Sequence, residues 1–351
     1  MSAREERFER FAARVVGSLP EPVRRRIVGG ALPRREGVDV DSRIAALTAM
    51  ATRRGRTFDP SVTVEQLRRS YARLNRICGI RETRPVVTRE LSIPTTEGPI
   101  SARLYRPSGA AREEALPLLV FFHGGGFVIG DVPSYDGLAR FFAVEGNMAI
   151  VSVEYRLAPE YPYPRGYEDG VAAYAWVVQN AAELGADAAR VAVGGDSAGG
   201  SIATMISSVA SSRALPRPAY QFLIYPGLDY AGTFPSRSMS GDGLPFTPAT
   251  ISWFARYNPV TEDRSPFVSP LVAPNPEQQP PTYLLAAGFD PLVDEGKAFA
   301  ERLRGAGVDV TYDLRPSLTH AFVNLAGVVP AARNALRDGI RATAAALRAG
   351  A

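Results

Sequence analysis

A serine stands at the centre of the pentapeptide Gly-Asp-Ser-Ala-Gly, at positions 195–199. The apolar run Val191-Ala192-Val193 precedes the pentapeptide and small residues follow it, so Ser197 is predicted to lie on a sharp turn between a strand and a helix. There its hydroxyl would project above a sheet, and the backbone N–H of Ala198 would be free to donate to an oxyanion. Ser197 is therefore the candidate nucleophile, and a serine that only caps a helix is the alternative.

A second motif, His-Gly-Gly-Gly, begins at His123 and ends another apolar run. Successive glycines leave their N–H groups uncovered and let the backbone come within hydrogen-bond range of a tetrahedral intermediate. Gly125 and Gly126 are therefore the predicted donors that join Ala198 in an oxyanion hole. We expect His123 to shape this loop rather than to transfer protons. The alternative is a flexible loop that has no part in catalysis.

A serine nucleophile needs a base. Imidazole suits this role because its unperturbed pKa of about 6.5 lets it accept and return a proton near neutrality. The chain contains two histidines. Since His123 is assigned to the glycine loop, His320 is the predicted base, on the loop that follows the predicted strand Val308–Leu314. A surface histidine without a catalytic role is the alternative.

The carboxylate that would hold the imidazole tautomer must lie between the serine and the histidine and follow a strand. Asp290 fits best, because it directly follows the apolar run Tyr283–Phe289 and precedes a proline that suits the first turn of a helix. An aspartate at that place could also cap the helix, so capping is a competing explanation for Asp290. Asp294 is the reserve candidate.

Composition excludes several other kinds of site. The two histidines and the single cysteine, Cys78, lack the spacing of metal ligands, and no Gly-x-Gly-x-x-Gly or Walker A pattern occurs, so we expect neither a metal nor a cofactor. The net charge is +4, but the arginines are scattered, which argues against nucleic acid as a partner. No apolar core of a signal peptide precedes Val16 and no membrane-spanning apolar run occurs, so a cytoplasmic protein without a membrane partner is expected.

From about Pro85 onward, short apolar runs alternate with amphipathic segments, as is typical of a βαβ protein. The runs Leu118–Phe122 and Tyr283–Ala287 are apolar without alternation, which predicts central strands covered on both faces. The prediction is a doubly wound, mostly parallel sheet whose first strands could run antiparallel. The predicted strands are Val86–Ile93, Ile100–Tyr105, Leu118–Phe122, Ala149–Glu154, Val191–Gly194, Gln221–Tyr225, Tyr283–Ala287 and Val308–Leu314. The predicted helices between and after them are Tyr135–Glu145, Tyr167–Leu184, Ala198–Ser212, Pro291–Arg304 and Ala331–Arg348.

Two segments depart from this alternation. Residues 1–84 carry apolar residues at helical spacing with charges between them, and we expect them to form helices that pack on the core. Residues 229–279 are rich in Pro, Gly and Ser, with one short apolar stretch at Ile251–Ala255. They are predicted to be an insertion that contains a little helix, and such insertions often carry function.

With these motifs, the chain resembles the bacterial hormone-sensitive-lipase-like esterases, which are family IV carboxylesterases of the α/β-hydrolase superfamily. The resemblance extends over roughly residues 85 to 350 and is weaker in the N-terminal helices. The matching pieces are His123 to Phe127, Tyr155 to Glu160, Gly195 to Gly200, Asp290 to Leu292, Asp294 to Gly296, and His320 with Phe322. One departure is Ala321, where the family usually has glycine between the histidine and the phenylalanine.

The resemblance implies an α/β-hydrolase domain at 85–351, with an eight-stranded, mostly parallel sheet flanked by helices. It implies a helical cap over the pocket, made of residues 1–84 and the insertion at about 229–279. The catalytic residues that it implies are the triad Ser197, Asp290 and His320 and the oxyanion-hole donors Gly125, Gly126 and Ala198.

The expected activity is hydrolysis of short- to medium-chain acyl esters through an acyl-enzyme on Ser197. The same machinery would serve an amidase, a lactonase or a deacetylase of a natural product, and the motifs do not separate these. A non-catalytic ligand receptor on the same fold is a further alternative, which the presence of all three triad residues disfavours. The expected partner is a small-molecule ester, and a homodimer stays open.

Overall fold

Four helices and a short hairpin come first in the chain. The computed structural model describes residues 3–54, 59, 61–110, 114–239, 244–259 and 269–350. The helices are α1 (Ala3–Ser18), α2 (Glu21–Val28), α3 (Ser42–Arg53) and α4 (Val64–Cys78), and the hairpin strands β1 (Arg34–Arg35) and β2 (Val38–Asp39) lie between α2 and α3. Helix α4 begins at a capping box, in which Thr63 and Gln66 each bond the other's backbone N–H.

The remaining described strands form one eight-stranded sheet, as predicted. They are β3 (Val86–Ile93), β4 (Ile100–Pro107), β5 (Leu116–Phe122), β6 (Ala149–Val153), β7 (Ala186–Asp196), β8 (Gln221–Ile224), β9 (Thr282–Phe289) and β10 (Val310–Thr319). Their order across the sheet is β10-β9-β8-β7-β5-β6-β4-β3. Strand β4 runs antiparallel to both of its neighbours, and all the other pairs are parallel.

Apart from shifts of one or two residues at the strand ends, three details differ from the predicted strands. Strand β7 starts at Ala186 rather than Val191, and β10 continues to Thr319 through an irregularity in its pairing after Arg315. Strand β9 is second from the edge rather than central. Its residues are nevertheless all buried, because helices cover the sheet on both faces there. An apolar run therefore reports burial on both faces and not the position of a strand within the sheet.

Four crossover helices and the helix that follows the last strand cover the two faces of the sheet. The crossover helices are α5 (Val132–Gly146), α6 (Arg165–Gln179), α7 (Ala198–Val209) and α9 (Val293–Gly305), and the last helix is α10 (Pro330–Ala349). One apolar layer joins the strands to α6, α7 and α9, and a second layer joins them to α5 and α10. This is the doubly wound arrangement, which brings the carboxyl ends of the parallel strands to one edge of the sheet.

Helix α8 (Pro248–Tyr257) lies within the predicted insertion and meets the N-terminal helices. The buried indole of Trp253 donates to the backbone oxygen of Val62, 3.2 Å away, and Leu67 and Tyr71 of α4 pack on the same apolar cluster. Val128, which follows the glycine motif, also belongs to this cluster. Residues 240–243 and 260–268 of the predicted insertion lie outside the described part of the chain. In the part that is described, no helix combines the length and apolarity that a membrane crossing requires.

Candidate active site

Ser197 lies between the last residue of β7 and the first residue of α7. Its backbone has φ 53° and ψ −118°, a conformation that L-residues rarely adopt and that costs free energy. A Cβ at Gly199 would overlap the backbone oxygen of Phe122, and a Cβ at Gly195 would overlap the backbone of Gly199. The two flanking glycines therefore permit the tight turn that holds the serine at the strand end.

Strand register brings the other candidates to the same edge. Phe122 at the end of β5 pairs with Gly195, so the loop that begins at His123 lies beside the serine turn. Phe289 at the end of β9 pairs with Thr319 at the end of β10, so the residues that follow these two strands are neighbours as well. Four segments that are distant in sequence therefore meet at the carboxyl ends of adjacent parallel strands.

The structure brings Ser197, His320 and Asp290 into one hydrogen-bonded line. The distance from His320 Nε2 to Ser197 Oγ is 3.0 Å, and the distance from His320 Nδ1 to Asp290 Oδ2 is 2.8 Å. Asp290 is fully buried and His320 is 4% exposed. A carboxylate can only accept, so Nδ1 carries the proton and Nε2 presents its lone pair to the serine hydroxyl.

The two carboxylate oxygens of Asp290 have different partners, which correspond to its two predicted roles of orienting the imidazole and capping the helix start. While Oδ2 faces the imidazole, Oδ1 accepts the backbone N–H of Leu292 at 2.8 Å and holds the turn before α9. Asp290 is not the N-cap itself, because that position is occupied by Leu292. The reserve candidate, Asp294, instead accepts the backbone N–H of Ser236 at 2.8 Å.

Ala321, at the departure from the family pattern, adopts the left-handed conformation with φ 61° and ψ 21°. Glycine adopts this conformation without cost, whereas alanine does not. The backbone at position 321 therefore has the conformation that suits a glycine. The alanine at this position does not prevent His320 from reaching Ser197.

The predicted oxyanion donors have uncommitted N–H groups. Among the described residues, no protein acceptor is bonded to the N–H of Gly125, Gly126 or Ala198. Gly125 has φ 125° and Gly126 has φ 59°. A turn fixes the loop, because the backbone oxygen of Gly125 accepts the N–H groups of Val128 and Ile129, each at 3.0 Å.

Asp196 is a site residue that the sequence reasoning missed. Its carboxylate is buried and accepts the backbone N–H of Gly124 at 2.7 Å, the hydroxyl of Tyr135 at 3.1 Å and the hydroxyl of Tyr225 at 3.4 Å. Burial raises the pKa of Asp196 to about 6, against the effect of these donors. The sequence does contain a signal for this role: Asp196 stands at the end of an apolar strand, and a carboxylate that is buried there requires hydrogen-bond donors.

His123 is fully buried, and its Nδ1 lies 2.9 Å from the backbone oxygen of Gly124. The hydroxyl of Tyr155 donates to the backbone oxygen of His123 at 2.7 Å, and the two rings stack at 4.4 Å. Burial lowers the pKa of His123 to about 4, so its imidazole is neutral near pH 7. These contacts agree with a role in shaping the glycine loop.

Three aromatic rings from the segment between β8 and β9 lie against the site. The ring of Phe246 stacks on the imidazole of His320 with 4.2 Å between centroids, and Tyr225 contacts the same imidazole at 4.6 Å. Phe254 of α8 packs against Gly126, so closely that a Cβ on the glycine would overlap the phenyl ring. The predicted base and one of the predicted oxyanion donors are therefore both covered by aromatic residues.

A mostly parallel sheet that carries a strained serine between a strand and a helix, next to a glycine loop on the adjacent strand, is the architecture of an α/β-hydrolase. The family model described as alpha/beta hydrolase fold matches residues 119–324. LipN, a carboxylic ester hydrolase of Mycobacterium tuberculosis, is 36% identical over 345 residues, which cover 94% of this chain and 90% of the relative. The ethyl acetate hydrolase of Pseudomonas putida is 34% identical, covering 79% of this chain and 88% of the relative.

Solved structures agree with these relatives. An ester-hydrolase from the metagenome of Lake Arreo, complexed with a derivative of bipyridine phosphonate, has a TM-score of 0.80 at 34% identity, covering 93% of this chain and 98% of its own. A hyperthermophilic esterase from Pyrobaculum calidifontis has a TM-score of 0.78 at 33% identity, with 87% and 98% covered. The chain therefore belongs to the hormone-sensitive-lipase-like (family IV) esterases of the α/β-hydrolase fold. It is an enzyme of the carboxylesterase class.

Proposed function

We propose that the chain hydrolyses short- to medium-chain acyl esters through an acyl-enzyme on Ser197, with Asp290 and His320 as the other members of the triad. The observation that carries this proposal is the unbroken line of hydrogen bonds from Asp290 through His320 to Ser197, at 2.8 and 3.0 Å. A serine hydroxyl becomes an effective nucleophile when an oriented base can take its proton, and this line provides that base and its orientation.

In the first half of the reaction, Ser197 Oγ attacks the ester carbonyl carbon while its proton passes to His320 Nε2. The tetrahedral intermediate collapses when the bond to the leaving oxygen breaks, and His320 gives the proton to the departing alkoxide, which leaves as an alcohol. In the second half, His320 takes a proton from water, whose oxygen attacks the acyl carbon. Collapse of this second intermediate releases the acid and returns the proton to Ser197.

The oxyanion of both intermediates would be held by the N–H groups of Gly125, Gly126 and Ala198. Donors that are already fixed stabilise the developing charge without reorganising during the reaction. The bonds that fix the loop from Gly124 to Ile129 supply this order. Asp290 would stay ionised beside the imidazolium and stabilise its charge.

The short-chain preference is supported by the rings over the site. Phe246 on His320 and Phe254 against Gly126 narrow the space beside the reacting groups. We assign both rings to a cap, formed where α8 meets α4 around the buried Trp253. The similarity to an ethyl acetate hydrolase, at 34% identity, points to small acyl groups as well.

The test is a series of p-nitrophenyl esters from acetate to dodecanoate, measured with the wild type, Ser197→Ala and Ser208→Ala. Ser208 lies on the same helix α7, where its hydroxyl donates to the backbone oxygen of Thr204 and accepts from the side chain of Gln279. It has no bond to the triad, so this variant controls for the loss of a hydroxyl. We expect kcat/KM to be highest for short and medium chains and to fall by several orders of magnitude in Ser197→Ala alone. Wild-type turnover in Ser197→Ala would overturn the proposal.

Labelling separates an enzyme from a ligand receptor on the same fold. An organophosphate such as paraoxon transfers its phosphoryl group only to an activated serine. We expect the intact mass of the wild type and of Ser208→Ala to increase by one diethylphosphoryl group, and that of Ser197→Ala to stay unchanged. A wild type that does not react would favour a receptor.

A further inference from the structure

A chain of buried hydrogen bonds connects helix α4 of the N-terminal segment to the glycine loop. We propose that Tyr71 is a positioning residue, which acts through Tyr135 and Asp196 to hold the oxyanion loop in its catalytic conformation. The inference rests on the proposed function, because it assigns to the N-terminal helices a part in the same reaction. Tyr71, Tyr135 and Asp196 are together called the tyrosine relay below.

The relay consists of close contacts. The hydroxyl oxygens of Tyr71 and Tyr135 lie 2.6 Å apart, and Tyr135 donates to Asp196 Oδ2 at 3.1 Å. The other oxygen, Asp196 Oδ1, accepts the N–H of Gly124 at 2.7 Å. Gly124 directly precedes Gly125, so the orientation of its peptide plane sets where the next N–H points.

While Asp196 is ionised, the hydroxyl protons of the tyrosine relay have one consistent arrangement. An ionised carboxylate only accepts, so the hydroxyl proton of Tyr135 points to Asp196. Tyr135 must then accept from Tyr71, whose single proton is used in that bond. Burial raises the pKa of both tyrosines, so they remain protonated donors. Each bond therefore orients the next one, and the polarity runs from α4 toward the loop.

Asn324 fixes the outer end of the relay. Its side-chain NH₂ lies 3.1 Å from the hydroxyl oxygen of Tyr71 and 2.8 Å from Asn75 Oδ1. Asn324 belongs to the short 3₁₀ segment Phe322–Leu325, which follows the catalytic histidine candidate. The relay thus ties the N-terminal helix to both the oxyanion loop and the segment after the base.

Loss of the Tyr71 hydroxyl would leave Tyr135 without its donor and weaken the hold on Asp196. No lysine or arginine is bonded to this carboxylate among the described residues, and its remaining donors are Gly124 and Tyr225. We expect the loop to sample conformations in which the Gly125 and Gly126 N–H groups point away from the oxyanion. Such a change weakens binding of the transition state more than binding of the substrate.

The experiment compares Tyr71→Phe with Tyr174→Phe in the full-length protein. Tyr174 is buried on helix α6, and its hydroxyl donates to the backbone oxygen of Pro216 at 3.0 Å, so this variant loses one tyrosine hydrogen bond outside the relay. The readouts are kcat and KM for p-nitrophenyl butyrate, the inhibition constant of a trifluoromethyl ketone, and the urea midpoint. The ketone forms a hemiketal with the serine, whose oxyanion needs the same N–H groups.

In Tyr71→Phe we expect kcat to fall about tenfold, the scale of one hydrogen bond in a network that ends on a charge, with KM within about twofold. The inhibition constant of the ketone should rise by the same factor as kcat falls. In Tyr174→Phe, kcat and the inhibition constant should stay at wild-type values, while the urea midpoint moves by a similar amount in both variants. Equal kcat in the two variants would overturn the proposal.

Tyr135→Phe and the double variant Tyr71→Phe/Tyr135→Phe test the order of the relay. If Tyr71 acts through Tyr135, the double variant should lose no more activity than Tyr135→Phe alone. Additive losses would overturn the relay and leave the esterase proposal standing. If the wild type hydrolyses no ester and does not react with paraoxon, the proposed function and the relay both fail.

Discussion

The phenyl ring of Phe246 lies parallel to the imidazole of His320, with 4.2 Å between the centroids and 21° between the planes. The ring keeps water from one face of the imidazole and restricts its rotation. Stacked aromatic pairs contribute about 0.5–1.5 kcal/mol, so we expect Phe246→Ala to lower kcat for p-nitrophenyl butyrate by about three- to tenfold. Phe246→Tyr keeps the ring and should retain activity. Equal losses in the two variants would contradict a role for stacking.

An asparagine at position 290 could not accept both of the hydrogen bonds that the two carboxylate oxygens of Asp290 accept. Its one oxygen can serve either the N–H of Leu292 or the Nδ1–H of His320, and the NH₂ group would face the other donor. If the NH₂ faces the imidazole, the tautomer changes and Nε2 can no longer accept the serine proton. We expect Asp290→Asn to lower kcat by roughly four orders of magnitude. Asp294→Asn should leave kcat near the wild-type value. If Asp294→Asn instead lowers kcat more than Asp290→Asn does, Asp294 is the acid of the triad and Asp290 is not.

The buried carboxylate of Asp196 makes stability depend on pH. Because its folded pKa is raised from 3.8 to about 6, the folded state binds this proton more tightly than the unfolded state. The resulting stabilisation is present at acid pH and is lost as pH rises through about 6. Asp196→Asn has no such titration. Its free energy of unfolding relative to the wild type should therefore increase by about 2 kcal/mol between pH 4.5 and 7.5. Urea unfolding at both pH values measures this, and a constant difference would contradict it.

Much of this architecture follows from local sequence patterns. The eight apolar runs predict the strands of the sheet, and most of their limits agree with the structure to within a few residues. The positions of Ser197 and His320 could be inferred because a glycine-flanked serine followed a strand and the chain has two histidines. The structure places the two side chains in contact, and their catalytic roles stay predictions.

Contacts between distant segments could not be inferred in this way. Tyr71 and Asn324 are 253 positions apart, and periodicity within a helix indicates only which face is apolar. Nothing in the insertion indicates that Phe246 would reach His320, since this depends on how the segment folds back over the sheet. Asp196 was part of a recognised motif, but its donors come from three other segments.

Phe254 limits the space beside Gly126, a predicted oxyanion donor. Phe254→Ala would open that space, and each additional methylene that it can bury contributes about 0.8 kcal/mol. We expect the ratio of kcat/KM for p-nitrophenyl octanoate to that for acetate to rise by about tenfold or more. Phe8→Ala removes a ring that is 68% exposed and should leave the ratio unchanged. An unchanged ratio in Phe254→Ala would place the acyl pocket elsewhere.

Ala321 is held in the left-handed conformation directly after His320, the predicted base, with φ 61°. This conformation costs an alanine roughly 1–2 kcal/mol, whereas a glycine adopts it freely but loses more backbone entropy on folding. Ala321→Gly should therefore increase the free energy of unfolding by about 0.5–1 kcal/mol and keep kcat near the wild-type value. Ala345→Gly, at an exposed position of α10 about one turn before its end, should lower the free energy of unfolding by up to about 1 kcal/mol, because glycine is unfavourable within a helix. Urea unfolding of the two variants and the wild type measures both changes in the free energy of unfolding. Destabilisation by Ala321→Gly would show that the packing of the alanine methyl group contributes more than the backbone conformation costs.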